Sequence, residues 1–146
     1  MNKLEVGMYV RTFEGKIFKI QDLKDDFIYV LNTECYFFKS LYGGDYCFSF
    51  PNENDYYTIT KASHNIIDLI EVGDYVNGYL IDYIDSERRF LRSERPYRVN
   101  SSWYKCLIEK GKDYNMCLHF KEEDIKSIVT KEQFSSMEYK VGGNNE

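Results

Sequence analysis

The chain has 146 residues, a formal net charge of −5 and a sequence pI of about 5.1. This length suits one ordinary domain or two very small ones. The acidic balance argues against general affinity for a nucleic-acid backbone or for an anionic membrane surface. No apolar run reaches the roughly 18 residues that a membrane-spanning helix needs, so no such helix is expected.

Predicted strands dominate the first half. Apolar residues alternate in "LEVGMYV" (4–10) and resume in "KIFKI" (16–20) after a turn at Gly15. The segment "DLKDD" (22–26) is expected to form a polar tip. Four further strands are predicted, at 27–32, 34–40, 46–50 and 56–60. Short strands at this spacing are typical of an all-β barrel or sandwich.

The pattern changes at the middle of the chain. The segment "SHNIIDLI" (63–70) is too densely apolar for an alternating strand, and it predicts a short helix capped by Ser63. Asn77-Gly78, which follows it, is a strong signal for a tight hairpin.

The last third returns to strands and ends in a helix. Strands are predicted at 101–108, 115–120 and 125–130. Thr130 and Gln133 have capping-box spacing, which predicts a short C-terminal helix at about 131–139.

Two segments of the chain repeat each other. "LEVGMYV" (4–10) and "IEVGDYV" (70–76) are identical at five of seven positions. Gly7 and Gly73 interrupt strand-forming residues and are predicted to permit a bend, at either a β-bulge or a position that needs a positive φ. Four valines are predicted to face the core, namely Val6, Val10, Val72 and Val76. The repeat therefore predicts the same strand–turn–strand opening in both halves.

The repeat also sets the predicted domain organisation. Gly15 and Gly78 occupy corresponding turns, with three fewer residues in the second loop. A strand, a glycine, "YV", a loop and a second strand resemble the opening of SH3-like small barrels. We therefore predict a mainly β fold, with SH3-like halves at 1–62 and 71–146, a short helical connector at 63–70 and a short C-terminal helix. The alternative is a single continuous sheet or sandwich.

The sequence contains no recognised catalytic or metal-binding motif. Phosphate-binding and dinucleotide-binding glycine loops and the Gly-x-Ser-x-Gly elbow are missing. The cysteines, at 35, 47, 106 and 117, lack zinc-site spacing and are expected to be buried free thiols. Only His64 and His119 could assist a cysteine nucleophile. We expect a protein that is not an enzyme, has no cofactor or metal, and is cytoplasmic, because no signal-peptide pattern is present.

An arginine-rich segment is one candidate binding site. Five of the six arginines lie within "RRFLRSERPYR" (88–98), namely Arg88, Arg89, Arg92, Arg95 and Arg98. Phe90 and Tyr97 are interleaved with them and Trp103 follows. Arginine with aromatic residues suits a phosphate-bearing small ligand, a nucleic-acid backbone or an acidic protein patch. The alternative is a solvated loop in which the arginines pair with nearby acids, namely Asp85, Glu87 and Glu94.

A second candidate site is acidic and rich in tyrosine. Aromatic residues make up 17% of the chain, and tyrosine is well suited to binding surfaces. The candidate residues here are Tyr42, Asp45, Tyr56 and Tyr57, in and around the predicted loops of 42–57. Acidic strands and loops can imitate a phosphate backbone and occupy a nucleic-acid-binding groove. Ordinary solubilising charge is the alternative interpretation.

Two segments carry a resemblance. "NIIDLIEVGDYVNG" (65–78) and "IKSIVTKEQFSSMEYKV" (125–141) resemble segments of small proteins from temperate phages and prophages of low-GC Gram-positive bacteria. The resemblance implies a phage context and a binding role in the bacterial host cell. The predicted function is a phage-encoded binding protein that inhibits a host defence protein, similar in role to anti-CRISPR proteins.

Two other functions are kept as alternatives. The arginine-rich segment could make the protein a sponge for a phosphorylated signalling nucleotide. An SH3-like module that binds nucleic acid or a phage protein is the other alternative. An exposed strand edge could also pair with a second copy, which would give a homodimer.

Overall fold

The computed structural model describes residues 3–39, 45–93 and 118–137. The chain forms two compact units, Met1–Ile70 and Glu71–Glu146. Most regular structure in both units is β-strand, with short helical segments that include one α-helix near the C-terminus. The prediction of a mainly β fold is therefore confirmed.

The first unit is a curled antiparallel sheet. Its described strands are β1 (Tyr9–Thr12), β2 (Ile17–Lys19), β3 (Asp22–Lys24), β4 (Phe27–Val30), β5 (Thr33–Lys39), β6 (Tyr46–Ser49) and β7 (Tyr57–Ser63). A 3-10 helix, Ile66–Leu69, follows β7. The strand order is β2-β1-β7-β6-β5-β4-β3, so the two edge strands are consecutive in the chain. Because only Ile20 and Gln21 separate them, the chain itself joins the two edges and the sheet closes into a small barrel.

Alternation along the strands places the core inside this barrel. In β4, Ile28 and Val30 are fully buried, whereas Phe27 and Tyr29 are only half-buried. The interior also contains Phe48, whose ring packs edge-on against Phe18 with centroids 5.5 Å apart. Full burial of each such side chain stabilises the fold by roughly 1.5–3 kcal/mol.

The second unit has shorter strands. They are β8 (Tyr75–Val76), β9 (Tyr79–Leu80), β10 (Tyr83–Asp85), β11 (Phe90–Ser93), β12 (Leu118–Phe120) and β13 (Ile128–Val129). They form two described sheets, ordered β13-β8-β9 and β10-β11-β12. A 3-10 helix, Glu122–Asp124, precedes β13, and helix α1, Lys131–Met137, follows it.

Two local predictions in this unit are confirmed. Asn77 and Gly78 have φ values of 55° and 87°, as a two-residue hairpin turn requires. Thr130 and Gln133 form the capping box, because each backbone N–H donates to the other side chain, at 3.2 and 3.3 Å.

The two "EVG" segments make the same backbone hydrogen bonds. The Gly7 N–H donates to the Ile20 carbonyl at 2.9 Å, and the Gly73 N–H donates to the Ile81 carbonyl at 2.8 Å. The φ values of the two glycines are +91° and +102°. Both glycines therefore adopt the left-handed conformation, one of the two alternatives that the sequence predicted, and L side chains rarely adopt it.

The equivalence extends well beyond the repeated letters. β8 pairs with β9 and β13 as β1 pairs with β2 and β7, and the β10-β11-β12 pairings match those of β3-β4-β5. The Gln21 N–H donates to the Tyr29 carbonyl, and the Asp82 N–H donates equivalently to the Arg92 carbonyl. Val10 pairs with Phe18 but Val76 pairs with Tyr79, so the second hairpin is five residues shorter. Each unit is thus built on the same strand framework.

Some sequence predictions are wrong. Val6 and Val72 are 52% and 54% exposed, because each lies in a tight turn that points it to solvent. Val10 and Val76 are fully buried, as predicted. The segment expected to be a polar tip begins with strand β3, in which Leu23 is half-buried between two exposed charged residues.

The connector helix also differs from its prediction. Asn65 precedes the 3-10 helix as its N-cap residue, without a side-chain capping bond. The Ser63 hydroxyl instead donates to Asp68 at 2.7 Å and accepts from the Asn65 N–H at 3.0 Å. Ser63 therefore orders the approach to the helix from two positions before the N-cap residue.

Buried polar side chains tie each helix to its sheet. In the first unit, the buried Arg11 donates to the Leu69 carbonyl at 2.9 Å. In the second unit, the buried Asp74 accepts from the Glu71 N–H at 2.7 Å and from the Lys131 N–H at 2.9 Å. Across the three described ranges, no helix has the length and apolar character to cross a membrane.

Candidate functional site

The sequence-predicted site residues fall into three groups. Five lie outside the described residues, namely Tyr42, Arg95, Tyr97, Arg98 and Trp103. Three belong to the first unit, namely Asp45, Tyr56 and Tyr57. Four belong to the second unit, namely Arg88, Arg89, Phe90 and Arg92. Each unit therefore has its own candidate surface.

Neighbouring tyrosines in the first unit have opposite orientations. Tyr57 is half-buried against Phe48 and Phe18, with ring centroids 5.4 and 5.9 Å away, and its hydroxyl accepts from the Lys16 ammonium. Tyr56 is 58% exposed and its ring approaches Phe38 at 6.0 Å. Tyr57 thus contributes to the barrel, and Tyr56 contributes to the surface.

Tyr56 belongs to a larger aromatic surface, which we call the aromatic band. Its members face outward from β4, β5 and the residue before β7, and they are Phe27, Tyr29, Tyr36, Phe38 and Tyr56. Phe27 and Tyr36 are cross-strand partners with ring centroids 5.3 Å apart. Tyr36 is 59% exposed and Phe38 is 42% exposed. Alternation along β5 therefore places two large rings in solvent beside Tyr56.

The aromatic band is bordered mainly by carboxylates. Tyr29 lies between Asp22 on β3 and Glu34 on β5 as their cross-strand partner. A hydrogen bond with the Glu34 carboxylate raises the pKa of Tyr29 above its usual value. Lys24 places its ammonium 5.6 Å from the Tyr29 ring centroid, and Asp55 is exposed directly before Tyr56. Among the described residues named here, three carboxylates and one ammonium border the band.

An open cleft of about 400 Å³ adjoins the same strands. Its apolar lining includes the stacked rings of Phe37 and Tyr46, whose centroids are 5.1 Å apart. Lys24 lines the cleft and also reaches the Tyr29 ring of the aromatic band. Phe37 alternates with Tyr36 and Phe38 along β5, so the cleft opens on the core-facing side of the strands and shares only Lys24 with the band.

The second unit presents a different surface, which we call the cationic face. It consists of Tyr83, Phe90, Arg92 and His119, on β10, β11 and β12. Arg92 is the cross-strand partner of both Tyr83 and His119. Its guanidinium lies 4.2 Å from the Tyr83 ring centroid, and the Phe90 and His119 rings are 5.1 Å apart. The four side chains form one contiguous group.

Two other predicted arginines lie at the turn between β10 and β11. Arg88 and Arg89 are exposed there, and the Asp85 carboxylate accepts from the Glu87 and Arg88 N–H groups at 3.1 and 2.9 Å. The structure thus brings Arg92 together with Phe90 and places the two exposed arginines at one end of the same hairpin.

The sequence did not identify Tyr83 or His119 as residues of a binding surface. Both are cross-strand partners of Arg92, although 36 residues separate them in the chain. Strand register, which sequence spacing alone does not supply, brings them together. Alternation around Tyr83 was the available signal, since it places this ring on the outer side of the strand.

The aromatic band and the cationic face occupy equivalent places on the repeated framework. Matching register aligns Asp22 with Tyr83, Phe27 with Phe90, Tyr29 with Arg92 and Glu34 with His119. The same framework therefore displays two carboxylates in the first unit and an arginine beside a histidine in the second.

Comparison with known proteins identifies neither a family nor a function for the chain. No family model, curated protein or solved structure matches the chain. Within residues 3–39, 45–93 and 118–137, no group of three His, Cys, Asp or Glu side chains could hold a metal ion.

Proposed function

We propose that the protein is a non-enzymatic binding protein that holds a partner protein on the aromatic band. The observation that supports this most is the outward display of Tyr36, Phe38 and Tyr56 at 42–59% exposure on one side of a closed barrel. Exposed aromatic side chains in a contiguous group are characteristic of protein–protein interfaces.

The aromatic band supplies the features of a binding hot spot. Each buried aromatic side chain covers roughly 150–250 Å², and a stable interface needs roughly 800 Å² on each partner. Since Tyr36, Phe38 and Tyr56 are 42–59% exposed, the outward faces of the band supply part of that area. The pairs Phe27–Tyr36 and Phe38–Tyr56 are already in contact, so little side-chain entropy is lost when a partner binds.

The charges near the band indicate the kind of partner. Carboxylates at Asp22, Glu34 and Asp55 would attract a surface rich in lysine and arginine. A nucleic-acid strand would also stack on aromatic rings, but it needs a positive groove along its backbone. The acidic border therefore favours a basic protein surface over nucleic acid.

The biological setting that we propose is inhibition of a bacterial defence protein by a phage. The resemblance of 65–78 and 125–141 to phage proteins supports this setting. A basic groove that normally binds nucleic acid would be complementary to the acidic border of the band. The band would then block that groove by occupying it.

The proposal is tested by affinity capture from a bacterial host lysate. The wild-type chain should capture a defence protein, and a variant with Tyr36→Ser, Phe38→Ser and Tyr56→Ser should capture at least about tenfold less, as expected for lost hot-spot residues. Val72→Ser is the matched control, since Val72 is an equally exposed apolar residue of the second unit. Expression of the wild type should also protect a defence-sensitive phage. Undiminished capture by the triple variant, or no protection, would contradict the proposal.

A further inference from the structure

We propose that the cationic face of the second unit is a separate binding site for a phosphorylated ligand that carries a flat aromatic ring, the nucleotide class. This inference goes beyond the protein-binding function and rests on other residues. Its basis is the arrangement of Arg92, His119, Phe90 and Tyr83 on three neighbouring strands.

An arginine and a histidine side chain leave the sheet from directly opposed positions. Arg92 and His119 are cross-strand partners on β11 and β12, so their side chains leave the sheet on the same side. Cβ atoms of such partners are roughly 4.5–5.5 Å apart. A phosphate group can accept hydrogen bonds from a guanidinium and an imidazole at this spacing, and arginine binds phosphate in a bidentate manner.

Aromatic side chains fix this pair and offer a stacking surface. The Arg92 guanidinium lies over the Tyr83 ring, which holds its plane in a defined orientation. Phe90 lies two residues before Arg92 and contacts both His119 and Tyr83, with centroids 5.1 and 6.2 Å away. A base could stack on the Phe90 ring or on the guanidinium plane, as bases do in single-strand binding proteins.

Charges of both signs flank this pair, since Glu87 shares the turn with two arginines and Asp82 precedes Tyr83. Arg88 and Arg89 are exposed at the end of the same hairpin. The nearest acid on β10, Asp85, directs a carboxylate oxygen to two backbone N–H groups of the turn. The first unit has Glu34 and Tyr29 at the positions of His119 and Arg92, so its equivalent face has no comparable arginine–histidine pair.

The test is calorimetry of the full chain with AMP, GMP, UMP and a cyclic dinucleotide. Inorganic phosphate and adenosine are separate arms that measure the phosphate and the ring alone. At least one nucleotide should bind, and Arg92→Gln and His119→Gln should each weaken it about tenfold, the factor for one lost charge-assisted hydrogen bond. Phe90→Leu should weaken it severalfold and reduce the preference for a nucleotide over phosphate.

Matched controls separate this site from other effects. Lys126→Gln removes an exposed cation before β13, outside the cationic face, and Glu34→Gln alters the equivalent face of the first unit, so each should change affinity less than about twofold. Amide chemical shifts of the wild type should change in β11 and β12 on titration, which locates binding even if a variant fails to fold.

Three outcomes would overturn the inference. They are absence of heat with every nucleotide, unchanged affinity in folded Arg92→Gln, and binding of a hexaglutamate peptide in place of all nucleotides. The triple serine variant of the aromatic band should retain nucleotide binding. If that variant loses protein capture but keeps nucleotide binding, the two activities belong to different surfaces, so each proposal can fail without the other.

Discussion

Asp74 offers a direct test of how the second copy of the repeat is held together. It replaces Met8 of the first copy and is fully buried. One carboxylate oxygen accepts from the Glu71 N–H at 2.7 Å, and the other accepts from the Lys131 N–H at 2.9 Å. The side chain thus connects the turn of the repeat to the first residue of α1.

Asp74→Asn keeps the volume but changes one acceptor into a donor. A hydrogen bond to a charged group contributes roughly 1.5–3 kcal/mol, and a buried N–H facing an amide donor is left unsatisfied. We expect Asp74→Asn to reduce the free energy of unfolding by about 2–4 kcal/mol. Asp74→Met, which restores the residue of the first copy, should cost at least as much because it leaves both N–H groups without this acceptor.

The assay combines urea unfolding with amide hydrogen exchange. Exchange should accelerate at the Phe134 amide, which makes the first backbone hydrogen bond of α1, and not at β4 of the first unit. Asp25→Asn, at an exposed carboxylate, is the control and should change stability by less than about 0.5 kcal/mol. The connecting role of Asp74 would be refuted if Asp74→Asn changed the free energy of unfolding as little as this control, or if exchange rose equally in both units.

Three further variants test other features of the fold. Arg11→Ala removes a buried guanidinium that donates to a carbonyl of the first 3-10 helix, and it should cost about 3–5 kcal/mol in urea unfolding, against almost nothing for the exposed Arg88→Ala. Leu31→Asn with Asn32→Gly should stabilise the protein by about 1 kcal/mol, because φ is +52° and +56° at these two turn positions and Asn-Gly is favoured there. An unchanged urea midpoint would contradict this expectation. Burial raises the pKa of the Cys35 thiol to about 11 from 9.0, so stability that is complete below pH 9 should be lost as the pH rises through 11. Cys35→Ala should reduce this loss of stability at high pH. If the wild type and the variant lost stability equally, the Cys35 thiol would not be its cause.

Local signals in the sequence predicted much of the fold. The Asn77-Gly78 hairpin and the Thr130–Gln133 capping box depend on residues close in the chain, and both are present. The glycines of the repeat were predicted to lie at a β-bulge or at a positive φ, and they have the positive φ. These features follow from backbone sterics and short-range hydrogen bonds, which the sequence specifies directly.

Errors arose where a strand-forming residue lies in a turn. Val6 and Val72 fit the alternation of a strand by type, but the tight turn around each glycine rotates them into solvent. The pairing of Arg92 with His119 could not be predicted either, because register between distant strands depends on the closed fold. The candidate surfaces were therefore only partly predicted, through Tyr56, Phe90 and Arg92.

Comparison of the two units indicates where function is encoded. Positions that build the framework have matching chemistry, since Val10 and Val76 are both buried and Gly7 and Gly73 both have positive φ. Outward positions on the middle strands contribute little to a closed barrel, because they face solvent on one side. Side chains at these positions can therefore differ to suit a ligand without loss of the fold. The first unit has Tyr29 and Glu34 where the second has Arg92 and His119, so a guanidinium replaces a phenol and an imidazole replaces a carboxylate. This difference in charge, at positions that the fold does not constrain, is the physical reason to expect separate partners for the aromatic band and the cationic face.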